Sequence, residues 1–228
     1  MKIAVLGSGM VGQTIAAKMI ELGHETSMGT RNAKITRSRD EVNRMTGVSF
    51  VRWHDQNPEV LLKNFEDLPD DTELFINAVN GIATLDALCL VGKKKLKGKI
   101  LLDIANPLDF SKGMPPRLFV SNIDSLAEQI QVEFGDTRVV KGLNTMTASL
   151  MVNPSMVPGD HNVFLSGNDP AAKEVVRSLL REMGWKDHMI LDLGDITTAR
   201  GTEMLLPVWL RLMGVLGTPV FNFHIAMR

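Results

Sequence analysis

The feature that most constrains this chain is a glycine turn joining a short apolar run to an amphipathic one: Ile3-Ala4-Val5-Leu6 leads directly into Gly7-Ser8-Gly9-Met10-Val11-Gly12. Four consecutive apolar residues read as a strand buried on both faces. From about Met10 to Leu22, Val11, Ile15, Ala16, Met19 and Ile20 fall on one helical stripe, and Gly23 closes it. A G-x-G-x-x-G between a strand and a helix is the fingerprint of a dinucleotide-binding unit. Gly7 makes the tight turn, Gly9 lets the backbone approach a pyrophosphate, and Gly12 lets helix and strand pack closely. Together with Ser8, Met10 and Val11 they form a loop whose free N–H groups, at the positive end of a helix dipole, suit phosphate.

The rest of the chain alternates short apolar runs with periodic ones, the pattern of a parallel sheet covered by helices. Strands are predicted at Glu25 to Met28, Val48 to Val51, Leu74 to Val79, Ile100 to Ile104, Arg138 to Lys141, Asn162 to Ser166 and Met189 to Asp192. Helices are predicted at Ala33 to Met45, Leu85 to Val91 and Ser125 to Phe134, after Asp169-Pro170, and over much of Ile196 to Leu216. The expected fold is α/β: a doubly wound, mostly parallel Rossmann sheet with a helical C-terminal extension. The partition is 1–194 for the nucleotide-binding domain and 195–228 for the extension.

Which dinucleotide binds should be written at the end of the second strand, where a carboxylate would accept the ribose hydroxyls of NAD. The chain instead reads Met28-Gly29-Thr30-Arg31-Asn32-Ala33-Lys34. Arg31 can grip a 2′-phosphate with a planar fork of donors, Thr30 and Asn32 add hydrogen bonds, and Lys34 adds charge. These residues predict NADP(H). The rest of the cofactor is expected at later strand ends, along Ala78-Val79-Asn80 and Asn106-Pro107.

Composition removes several alternatives. Lys and Arg number 25 and Asp and Glu 26, a net charge of −1, so no global basic field points to nucleic acid. The run Lys93-Lys94-Lys95 reads as a solvated turn. Tyrosine is absent, which excludes any mechanism whose acid is a phenol. The one cysteine, Cys89, forms neither an intrachain disulfide nor a metal cluster, and nothing at the N-terminus reads as a targeting signal. A cytoplasmic protein without a bound metal is expected. The apolar stretch from Met204 to Met227 is interrupted by Pro207, Arg211, Pro219, Asn222 and His224, so it predicts a buried or oligomer-forming helix rather than a membrane span. Leu205, Leu206, Val208, Trp209, Leu212 and Met213 give that helix the surface for a homodimer.

The chain resembles the NADP-dependent coenzyme F-420 (deazaflavin) oxidoreductase family, whose fold is shared with the reductase domain of the STEAP proteins and is related to pyrroline-5-carboxylate reductase. The resemblance is carried by Ile3 to Gly12, Gly29-Thr30-Arg31-Asn32, Ala78-Val79-Asn80, Asp103 to Leu108, Lys141-Gly142-Leu143-Asn144-Thr145 and Ala199-Arg200-Gly201-Thr202-Glu203. It implies hydride transfer between NADPH and a second flat redox ring, a deazaflavin or flavin, as a small-molecule acceptor. It also implies that Asn144, Thr145 and Met146 approach that ring. Such a reaction asks mainly for proximity and alignment. The catalytic residues stay unassigned: the five histidines have no evident carboxylate partner near a strand end, and Arg200 and Glu203 are expected to pair locally, three apart on one helical face. The alternative from another class is a non-catalytic NADP(H)-binding module that reports redox state. A metal-reductase domain and a cyclic-imine reductase are weaker readings, the first for want of a membrane haem module, the second for want of a larger helical domain.

Overall fold

The computed structural model describes residues 1–43 and 47–227. Five strands follow the fingerprint's logic: β1 (Lys2–Leu6), β2 (Glu25–Thr30), β3 (Leu61–Asn64), β4 (Leu74–Asn77) and β5 (Ile100–Asp103). They are joined by α1 (Met10–Glu21), α2 (Ala33–Arg37), α3 (Phe50–Gln56), α4 (Thr84–Val91) and α5 (Lys93–Leu96). A small antiparallel hairpin, β6 (Leu108–Asp109) with β7 (Arg117–Leu118), precedes α6 (Leu126–Glu133) and β8 (Arg138–Gly142). The chain then forms α7 (Ala148–Val152), β9 (Val163–Gly167), α8 (Pro170–Glu182), β10 (Ile190–Asp192) and α9 (Ala199–Leu216).

Eight strands build one sheet in the order β10-β9-β8-β5-β4-β1-β2-β3. All pairs are parallel except β8 with β9. This is the doubly wound, mostly parallel Rossmann sheet. Alternation along β1 divides the core: Ile3 and Val5 face Ile15, Ala16 and Met19 of α1, with Val176 and Leu179 of α8 on the same side. Ala4 and Leu6 face the other layer, with Leu88 of α4 and Ile130 of α6. The chain order reverses between β1 and β4, so the strands' C-terminal ends open there into the crevice where such sheets bind ligands.

Two predicted elements differ. Val48 to Val51 is not a strand. Ser49 caps α3 by accepting from the Arg52 amide, and Phe50 and Trp53, one turn apart, pack with ring centroids 5.5 Å apart. The third strand is Leu61–Asn64, an edge strand whose residues alternate exposed and half-buried and are too polar to stand out. The helix predicted over Ala33 to Met45 ends at Arg37, where the Ser38 hydroxyl donates back to the Ile35 carbonyl; its predicted residues 44 and 45 lie outside the described ones. The start of α8 follows expectation: the Asp169 side chain accepts from the Ala172 amide, Pro170 opens the helix, and Gly184 beyond its end has φ +100°. Among the lysines of the 93–97 region, Lys93 pairs with Glu133 at 2.6 Å and Lys97 with Asp136 at 3.2 Å, which is surface electrostatics of small worth.

The last helix is only partly covered. Thr202, Glu203 and Leu206 are buried, whereas Val208 and Val215 are 50% and 83% exposed. Gly217, at φ +69°, turns the chain back, and Phe221 stacks on Trp209 with centroids 5.4 Å apart. The Phe223 carbonyl accepts from the Asn162 amide and so ties this tail to the start of β9. Among the described residues no helix is long and apolar enough to cross a membrane.

Candidate dinucleotide site

Each glycine of the turn has a distinct geometric reason. Gly7 holds φ +107°, donates its N–H to the Gly29 carbonyl, and would bring a Cβ to 2.8 Å from the Ala78 oxygen. At Gly12 a Cβ would lie 2.0 Å from the Gly7 oxygen, so helix and turn touch through backbone alone. Gly9 differs from both, because among the described residues no atom outside its own stretch of chain lies within 4 Å of its Cβ position. Its φ of −78° is ordinary, and it caps α1 without a side chain. The first turn of a twelve-residue helix therefore presents amides that no side chain caps, with room above them, which fits a pyrophosphate. Met10 and Val11 are half-buried beside that space, and Ser8 is buried.

At the end of β2 the four predicted residues divide into two kinds. Thr30 is buried and shares a 2.9 Å hydrogen bond with the Thr36 hydroxyl, and Asn32 caps α2 by accepting from the Ile35 amide at 2.9 Å. These two build the loop. Arg31 and Lys34 are exposed and, among the described residues, pair with no carboxylate, whereas nearby Arg37 pairs with Asp55 at 2.6 Å. Their charge is uncompensated where a 2′-phosphate would lie.

The later strand ends form the crevice wall. Ala78 and Val79 are half-buried, and the Val79 amide donates to Asn77 Oδ1. Asn80 accepts from the Ile82 amide through its side chain, so it shapes the Gly81–Ala83 turn. A Cβ on Gly81 would stand 2.0 Å from the Asn106 oxygen, and the β4 and β5 loops thus meet at Gly81. Asn106 and Asn144 bond reciprocally: Asn106 Nδ2 donates to the Asn144 carbonyl at 2.9 Å, and Asn144 Nδ2 donates to Asn106 Oδ1 at 3.0 Å. Pro107 follows and is buried. Asn144, Thr145 and Met146 are 2%, 1% and 6% exposed, so the predicted acceptor-side residues form the floor of the region, not an open surface.

Beneath that floor is a group that sequence reasoning missed. Lys141 donates from Nζ to Asp103 Oδ2 at 2.8 Å, to Glu203 Oε1 at 2.8 Å and to the Ala105 carbonyl at 2.5 Å. All three charged side chains are at most 2% exposed. Burial alone would lower the Lys141 pKa; the two carboxylates outweigh it and hold the ammonium above its ordinary value. Glu203 also accepts from the Leu126 and Ala127 amides that open α6, and Asp103 from Asn77 Nδ2 and the Ala105 amide. The predicted Arg200–Glu203 pair is therefore replaced. Arg200 forms a fork with Glu128, at 2.8 and 2.5 Å, because α9 packs its inward face on α6 rather than on itself.

Arg39 is a second missed residue: its Nη2 donates to the Ser8 carbonyl at 2.7 Å. Reading a helix through residue 45 hid the return of this segment over the glycine turn. The histidines lie elsewhere. His24 Nε2 is 3.0 Å from Glu182, His188 Nε2 is 3.2 Å from Asp160, and His54 and His161 bond the carbonyls of Val60 and Pro154. His224 is exposed in the C-terminal tail. Among the described residues no group of three or more His, Cys, Asp or Glu could hold a metal ion.

Known proteins place this geometry. Residues 2–107 match the family described as NADP oxidoreductase, coenzyme F420-dependent. The crystal structure of a candidate F420-dependent NADP-reductase from Arthrobacter sp. FB24 superposes with TM-score 0.93 at 54% identity, covering all of both chains. Metalloreductase STEAP3 of Rattus norvegicus is 27% identical over 213 residues, 91% of this chain but 38% of its own length, so the chain spans well under half of that relative. A reductive aminase from Aspergillus terreus, solved with NADPH, has TM-score 0.59 at 16% identity over 95% of this chain and 62% of its own, a likeness of fold. With the glycine turn at the reversal point of the sheet and a full-length relative at 54% identity, the chain belongs to the coenzyme F420-dependent NADP oxidoreductase family.

Proposed function

We propose that this NADP-dependent oxidoreductase transfers hydride between NADP(H) and a second flat redox ring of the deazaflavin or flavin class. The nicotinamide supplies or accepts the hydride, and the chain's work is to bind and orient. The observation that carries the nucleotide half is the open space over Gly9 with Arg31 and Lys34 exposed at the neighbouring strand end and, among the described residues, paired with no carboxylate. Gly7, Ser8, Gly9, Met10, Val11 and Gly12 would hold the pyrophosphate, and Arg31 and Lys34 the 2′-phosphate on a loop shaped by Thr30 and Asn32. Ala78, Val79, Asn80, Asn106 and Pro107 would border the nicotinamide half. Asn144, fixed by Asn106, would set the floor with Thr145 and Met146. The acceptor half is supported by the name of the Arthrobacter relative. Histidines placed away from the crevice, together with a sequence free of tyrosine, suit a reaction that needs alignment more than an acid.

Mixing the protein with NADPH and a panel of oxidised deazaflavin, flavins, quinones and imines, and following nicotinamide absorbance, tests the reading. Consumption with a flat-ring acceptor is expected. Tight NADPH binding with no consumption by any acceptor would replace it with the redox-sensing module.

Arg31→Ala is expected to weaken NADPH binding by about 2 kcal/mol, through loss of charged hydrogen bonds, and to leave NADH unchanged. Calorimetric titration of both nucleotides checks this, and equal losses would remove the 2′-phosphate assignment.

The exposed apolar side of α9 supports a homodimer through this region. The covered Trp209–Phe221 side would not take part. Light scattering at the dimer mass is the expected result, and a monomer at micromolar concentration would reject it.

A further inference from the structure

The corner between the glycine turn and β2 is bracketed by two arginines. Gly7 donates its amide to Gly29, two residues before Arg31, so Arg31 leaves the sheet beside the turn. Arg39 also reaches this turn: Nη2 is 2.7 Å from the Ser8 carbonyl and 3.4 Å from the Ser8 hydroxyl. Its guanidinium lies over the Phe50 ring, 5.2 Å from the centroid, on the first turn of α3. The segment is fixed to the same helix by the Val51 amide donating to the Arg39 carbonyl and by the Ser49 hydroxyl donating to Asp40.

This arginine has more donors than it uses. A guanidinium carries five N–H groups in a planar fork. Among the described residues only Nη2 is engaged, and no carboxylate pairs with the guanidinium. The adjacent Asp40 carboxylate is occupied by Ser49. Among the described residues Arg31, Lys34 and Arg39 thus have no carboxylate partner, while Arg37, between them in sequence, is turned away onto Asp55. A cation held in place by a ring and a carbonyl, with an unused fork, suits a dianion beside Ser8.

We infer that Arg39 is a second ligand of the cofactor's 2′-phosphate, bridging Ser8 of the glycine turn and the group that distinguishes NADP(H) from NAD(H). This rests on the NADP(H) reading above. It makes selectivity a property of two arginines from different elements, one on the β2 loop and one carried back by α3.

The test is calorimetric titration of wild type, Arg39→Ala and Arg39→Lys with NADP+, NAD+ and 2′,5′-ADP, which carries the 2′-phosphate without the nicotinamide. Arg39→Ala is expected to lose about tenfold for NADP+ and 2′,5′-ADP and less than about twofold for NAD+. Arg39→Lys should recover part of the loss, since an ammonium meets phosphate without a fork. Parallel losses for NAD+ and NADP+ would mean that Arg39 acts on the turn or the pyrophosphate, and would overturn the assignment, as would no loss at all. If wild type itself binds NADP+ no more tightly than NAD+, the cofactor reading fails instead. A wild-type preference for NADP+ that survives in Arg39→Ala defeats the Arg39 inference alone.

Discussion

Replacing Lys141 with methionine is expected to destabilise the fold by about 3–5 kcal/mol, the usual consequence of removing one partner from a buried ion group. Asp103 and Glu203 would be left without their shared cation in a place from which water is excluded. Each unfolding midpoint should fall by roughly 2–4 °C per kcal/mol for a chain of this size. The loss should match that of a large-to-small core change although methionine nearly fills the space, because the cost is electrostatic. Substituting all three residues by apolar ones should recover only part of it. Apolar replacement is often harmless for an isolated ion triad, but here the carboxylates also accept the Leu126, Ala127 and Ala105 amides, which would be orphaned.

The pH dependence has a definite sign. The folded-state pKa of Lys141 is raised above the 10.5 of the free side chain. A raised lysine contributes stability that is fully present below its unfolded pKa and is lost as pH rises through the folded one. The gap between wild type and Lys141→Met should therefore not narrow between neutral pH and about pH 9.5, and should close only at more alkaline pH. Urea midpoints measured at pH 7, 9 and 11 read this directly. A gap that narrows between pH 7 and 9 would mean that the ammonium is not held as the geometry indicates.

This group also explains which parts of the site could be read from sequence. The glycine turn was legible because its spacing follows from backbone contact, as the 2.0 Å approach at Gly12 shows. Arg31 was legible because the end of β2 is a fixed address in this fold. Lys141 was not read as buried, although a signal existed. Three strands carry a polar residue at or next to their C-terminal end, Asn77, Asp103 and Lys141, and the sheet aligns them side by side in register. That alignment becomes visible only once β5 is known to neighbour β8, a pairing across 34 intervening residues that include a hairpin and a helix. Arg39 and α3 were lost for a different reason. A polar segment with weak periodicity was extended as helix, and the four-residue run Val48 to Val51 is too short for periodicity to distinguish a strand from the start of a helix. Glu203 was placed on the correct helix but given the wrong partner, since i,i+3 spacing says only that a pair can form, not that a tertiary partner is absent.

Gly9→Ala and Gly12→Ala should separate binding from folding within one six-residue turn. At Gly9 the backbone is in a region open to any residue and, among the described residues, nothing outside the local chain lies within 4 Å of the new methyl, so the protein should fold with a loss below about 1 kcal/mol, the scale of an N-cap change. The methyl would stand in the space through which a pyrophosphate reaches the α1 amides. NADPH affinity is expected to fall about a hundredfold, or ~2.8 kcal/mol. At Gly12 the methyl meets the Gly7 carbonyl, a backbone atom that cannot rotate aside, so α1 must shift away from the turn. Overpacking of this kind costs about 1–3 kcal/mol and moves the amides that would hold the phosphates, so stability and affinity should fall together. Thermal midpoints and NADPH titrations of the two variants give four numbers. Wild-type affinity in Gly9→Ala would mean that the pyrophosphate does not approach over this residue. Wild-type stability in Gly12→Ala would mean that strand and helix do not rely on backbone contact, and with it the physical reason for reading this turn as a fingerprint would be gone.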